Sequence, residues 1–83
     1  MNVESFLNEI ESDFRKRCEA IVKAIEEDPD LESEDERRLV VHGTLTQIAN
    51  QLIEKMGKHL SVATASALSS RLYGVVRSYF SEH

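Results

Sequence analysis

The stretch VVHGTLTQI, residues 40–48, decides the fold class. Read alone it passes for a short strand, because valine, threonine and isoleucine suit a pleated surface. Gly43 also weakens a helix, by about 1 kcal/mol relative to alanine. The neighbours argue the other way. Val41, Leu45, Ile48, Ala49, Leu52 and Met56 recur at the spacing of one helical face, with Ile53 on a flank. Thr44-Leu45-Thr46-Gln47 reads as a capping box that would start a new helix after the glycine. Val41 and Leu45 nevertheless keep one phase across Gly43. The spacing therefore predicts one helix, bent at most, over about residues 34–56.

Upstream of that helix lies EEDPDLESEDE, residues 26–36, in which eight of eleven residues are carboxylates. Pro29 disfavours helical backbone at the residue before it and so closes a preceding helix. Glu26, Glu27 and Asp28 then face the negative pole of that helix, an unfavourable placement that hints at another role. Ser33-Glu34-Asp35-Glu36 is different. It reads S-x-x-E, a capping box with acids in the first turn, so helix initiation accounts for it.

The preceding helix is expected over about residues 3–28. Val3, Leu7, Ile10, Phe14, Cys18, Ile21 and Ile25 form its apolar stripe, and Asn2 can cap it. Glu11–Arg15 and Glu19–Lys23 are spaced to pair along its surface. Downstream, Gly57 suits a left-handed helix end, with Lys55 and Lys58 beside it. Ser61 can cap a third helix over about residues 62–81, with a stripe of Ala65, Leu68, Leu72, Val75, Val76 and Tyr79. Its first half, SVATASALSS, is nearly all small and suits a closely approaching neighbour. Gly74 raises the same expectation of a close contact. The fold class is therefore all-α: three helices in one domain spanning residues 1–83, an antiparallel bundle or a hairpin plus a third helix.

A chain of 83 residues buries only about 60% of its unfolded surface, so a monomeric core is marginal and dimerisation is a common remedy. Leu39, Val40, Tyr73 and Phe80 fall off the stripes. They are expected to form a second interface, most simply in a homodimer. No apolar run approaches the roughly 18 residues that span a bilayer. The amino-terminal stretch lacks a basic leader region, and the lone Cys18 suits a reducing compartment, so a cytoplasmic location is expected.

Charge is divided unevenly. Residues 1–36 carry a net −9 and residues 37–83 a net +4, within an overall −5. Overall acidity argues against non-specific nucleic-acid binding.

Little in the chain resembles chemistry. The acidic run fails the spacing of a calcium loop. Counted from Asp28, the sixth and twelfth positions are Ser33 and Leu39; from Asp30 they are Asp35 and Val41, where glycine and glutamate are needed. Cys18, His42 and His59 show no metal-ligand spacing. No nucleophile stands beside an evident base, and no glycine-rich phosphate loop or cofactor motif occurs. No catalytic, metal or cofactor role is expected.

The expected role is a non-catalytic module that binds another protein as regulator, adaptor or inhibitor. Glu26, Glu27, Asp28, Asp30, Glu32, Glu34 and Asp35 would steer that partner. Leu39, Val40, Tyr73 and Phe80 would supply apolar contacts. The alternative is a nucleic-acid-binding regulator that uses the basic second half. Residues 45–76 loosely resemble a helix-turn-helix, with Arg71 and Arg77 for phosphates. However, Gly57 comes four residues late, and SVATASA offers no side chain to read base edges.

Overall fold

The computed structural model describes residues 2–80. It contains α1 (Val3–Glu26), α2 (Glu34–Gly57) and α3 (Val62–Ser78), each packed on the other two. Among the described residues there is no strand. A helix of 24 residues is about 36 Å long, so the helices lie along the 45 Å axis of a body only 21 by 19 Å across.

Each start follows its cap. Asn2 Oδ1 accepts from the amides of Glu4 (2.8 Å) and Ser5 (3.4 Å). Ser33 Oγ accepts from the Glu36 amide at 2.9 Å. Ser61 Oγ accepts from the Thr64 amide at 3.2 Å. Capping of this kind contributes about 1 kcal/mol at each start. α2 runs unbroken through Gly43, so the Thr44 box goes unused.

The ends differ from what the sequence predicts, each for a local reason. α1 stops at Glu26, two residues early, and the Glu27 and Asp28 amides close on Lys23 and Ile25 carbonyls. Gly57 is not a left-handed cap, since no described residue has positive φ. The chain leaves α2 in right-handed turns instead, with His59 N–H on Met56 O (3.0 Å) and Leu60 N–H on Gly57 O (3.3 Å). α3 stops at Ser78 rather than near residue 81, which lies outside the described residues. Ser78 Oγ donates to the Val75 carbonyl at 2.5 Å. The Tyr79 amide turns to Val76 at 3.1 Å, and the last turn tightens.

Ten residues make the core: Leu7, Phe14 and Cys18 from α1, Val41, Leu45 and Ala49 from α2, and Leu68, Leu72, Val75 and Val76 from α3. All ten belong to the stripes read from the sequence. Tyr73 and Phe80 also pack against this core, half-buried. A helix in a three-helix bundle touches two neighbours, so its buried arc is wider than one stripe. The close contact expected at Gly74 is absent: an added Cβ there would meet only the Arg77 guanidinium, 4.0 Å away.

Polar ties join the helices outside the core. Arg71 of α3 donates to Asn8 Oδ1 (2.5 Å) and Glu11 Oε1 (3.3 Å) and pairs with Glu4, all on α1. Glu11 also accepts from Arg15 at 3.3 Å, the pair expected from spacing, whereas Glu19–Lys23 does not close. Tyr73 O–H donates to Asn50 of α2.

Candidate functional site

The fold brings the end of α1, the start of α2 and the end of α3 together at one end of the bundle. A mouth of about 250 Å³ opens there, lined by Val22 and Glu26 of α1, Glu34, Arg37, Arg38 and Val41 of α2, and Tyr79 and Phe80 just after α3. Beside it an open groove of about 510 Å³ runs between α2 and Phe80, lined by Asp35, Arg38, Leu39 and His42. Phe80 and Arg38 line both depressions. The Phe80 ring meets His42 edge-on, with centroids 5.0 Å apart and planes at 68°. This edge-to-face contact joins α2 to the turn that follows α3.

The acidic connection borders both depressions, and its members are not equivalent. Asp28 is half-buried, and its carboxylate accepts from the Asp30 amide at 2.9 Å, a turn that carries the chain past Pro29. Asp28 therefore shapes the loop more than it extends the outward acidic surface. Arg37 reinforces that loop by donating to the Leu31 carbonyl at 2.6 Å. Glu26, Glu27, Asp30, Glu32, Glu34 and Asp35 are all exposed. Among the described residues, no carboxylate between 26 and 36 is in an ion pair. Residues 23–38 carry a net charge of −5.

The four apolar residues expected to share an interface are only partly brought together. Leu39, 75% exposed, shares the groove with Phe80. Tyr73 lies farther down the same α2–α3 seam, beside Asn50. The step from His42–Phe80 to Asn50–Tyr73 is about 11 Å at the helical rise. Val40, 37% exposed, is turned about 100° from Leu39 and lines neither depression. Sequence reasoning missed His42 as a site residue. Its position beside Phe80 depends on the register of α2 against α3, which no spacing within one helix reveals.

Among the described residues, no group of His, Cys, Asp and Glu could hold a metal ion. Cys18 sits in the core with no exposed surface. Burial pushes its thiol pKa up, against a smaller downward pull from Arg17 and Arg15. Ellman's reagent at pH 8 should therefore label the folded protein at least about a hundredfold more slowly than the urea-unfolded chain, because labelling waits on opening of the bundle. Equal rates would place Cys18 outside the core.

The basic second half offers little to a phosphate backbone. Arg71, one of its candidate contacts, is engaged by Glu4, Asn8 and Glu11. The Glu4 hydrogen bond, foremost, holds its pKa above the ordinary arginine value. No helix among the described residues is long and apolar enough to cross a membrane. A scan against protein-family models finds no match, nor does a search of curated proteins or of solved structures.

Proposed function

We propose that the chain is a non-catalytic helical interaction module whose contact surface is the acidic end of the bundle. One observation carries this reading: Leu39 stands 75% exposed beside a groove walled by an aromatic ring. An isolated exposed leucine is ordinary, but one that continues a concave apolar surface is typical of a contact site. The unpaired carboxylates around it would raise association rates with a positively charged partner, more than they raise affinity.

A homodimer is the nearest rival for that surface. Its motive is reduced, because Tyr73 and Phe80 pack on their own core. Of the other exposed large apolar side chains, Val40 adjoins Leu39 in α2, whereas Val3 and Val62 start α1 and α3 and lie away from the acidic end. Binding of duplex nucleic acid would have to proceed without Arg71, which is already held by α1.

The test places a photo-crosslinking amino acid at Leu39, and separately at Val62, in cells that make the protein. A discrete protein adduct from position 39 but not from 62 is expected. No adduct at 39, or the same adducts from both, would remove the interaction reading. Sedimentation equilibrium across a hundredfold concentration range, with Leu39→Gln beside it, identifies self-association: a dimer that the substitution dissociates would mean the adduct is a second copy.

A further inference from the structure

Resting on that reading, we infer that the acidic end receives a basic amphipathic helix of another protein. The helix would seat two apolar anchors on either side of Phe80 and set its cations against Glu26, Glu34 and Asp35.

Shape, charge and backbone chemistry each point to this occupant. The mouth and the groove are separate depressions that share Phe80 and Arg38, with the aromatic ring as the apolar wall between them. Side chains three or four positions apart on a helix lie roughly 5–6 Å apart at Cβ, the spacing needed to straddle one aromatic ring. Such anchors, at i and i+3 or i+4, are the usual grip of a helix in a groove. An extended strand has no docking edge here, since the described residues contain no sheet.

The floor is apolar, from Val22, Val41, Leu39 and Phe80, and the rim carries Glu26, Glu34 and Asp35 against Arg37 and Arg38. Glu26 and Glu34 line the mouth, and Asp35 lines the groove. All three are exposed and outside any ion pair among the described residues. Two cations also stand on the rim: Arg37, occupied by the Leu31 carbonyl, and the exposed Arg38, which lines both depressions, and the net charge of residues 23–38 counts both. The net −5 of residues 23–38 therefore favours a partner that brings positive charge. A second copy answers this less well, because its own corresponding end repeats the same charge and a two-fold contact of that end would set like against like.

The experiment uses the full chain and three labelled peptides of about 18 residues, long enough for five helical turns. One has leucine at i, i+3, i+4 and i+7 with lysine elsewhere. The second keeps the leucines and replaces lysine by glutamate. The third scrambles the first. Binding is read by fluorescence anisotropy at low and at physiological salt. The lysine peptide is expected to bind at least about tenfold tighter than the other two, with Leu39→Gln weakening it about tenfold, a hot-spot loss of roughly 1.4 kcal/mol. Glu26→Gln combined with Asp35→Asn should weaken binding mostly at low salt. Val62→Gln, at a side chain still more exposed than Leu39 but away from the acidic end, should change nothing.

Equal binding of the scrambled peptide would overturn the inference, because bare electrostatics would then suffice. So would indifference to Leu39→Gln, or a dimer that occupies the groove. Failure here with a persistent adduct at position 39 would reject the basic helix while leaving the interaction surface standing. Loss of the adduct would reject both.

Discussion

Phe14→Ala should remove about 3–5 kcal/mol of folding stability, the largest effect of any single truncation in the chain. Phe14 is the largest of the fully buried side chains, only 1% exposed, and sits midway along α1. The core it belongs to is built from all three helices, so closing a cavity there would disturb packing that α2 and α3 share with α1. A domain of this length has roughly 4–12 kcal/mol to lose at about 0.05–0.15 kcal/mol per residue, so the variant gives up about a quarter of its stability at the least and nearly all of it at the low end of that range. Phe14→Leu keeps most of the volume and should cost less than about 2 kcal/mol, which preserves a measurable transition if the alanine form does not fold. Urea unfolding followed by circular dichroism reads both. The midpoint should fall while the slope stays constant. Val62→Ala, at a side chain 88% exposed, is the control and should move stability by less than about 0.5 kcal/mol. A loss under about 1.5 kcal/mol for Phe14→Ala would mean that α1 is rotated away from the core described.

The rotation of α1 is legible in the sequence. Leu7, Phe14 and Cys18 recur at helical spacing, and so do Leu45 with Ala49 and Leu68 with Leu72. A burial pattern of this kind is local, because it follows from one helix having one inward side. Polar caps are legible for the same reason: Asn2, Ser33 and Ser61 each act within three residues. What the sequence hides is relational. Leu39 and Val40 both lie off the stripe, but on different flanks, and which flank a neighbouring helix covers depends on the hand of the bundle. Phe80 reads as a spare apolar residue. It becomes a wall of the candidate site only because the four residues between α2 and α3 set a register that brings it to His42. The acidic run is half legible. Its first-turn glutamates follow from capping, whereas the turn made by Asp28 needs the path around Pro29 to be known. Gly57 misleads for a physical reason: a glycine at a helix end permits a left-handed cap but does not require one, and the short right-handed turn toward Ser61 engages the Met56 and Gly57 carbonyls instead.

Gly43 separates a continuous α2 from a broken one by the sign of two substitutions. Its backbone is helical, its φ is not positive, and an added Cβ would find nothing within 4 Å. Gly43→Ala should therefore stabilise the protein by about 0.5–1 kcal/mol, by restricting the unfolded chain and improving helix propensity without a clash. Gly43→Pro should do the opposite. Proline removes the amide that closes the helix at that turn and pushes its ring against the carbonyl of Leu39, a loss of about 3 kcal/mol or more. A chain that broke at Gly43 and restarted on the Thr44 box would respond differently: a proline just before a new helix is well tolerated, and alanine would gain little. Thermal unfolding of the two variants beside the parent decides between these. A higher midpoint for alanine with a collapse for proline establishes α2 as one helix from Glu34 to Gly57. Tolerance of proline would split it. The groove would then lose its fixed geometry, because Leu39 would sit on one segment and the Leu45–Ala49 core contacts on another.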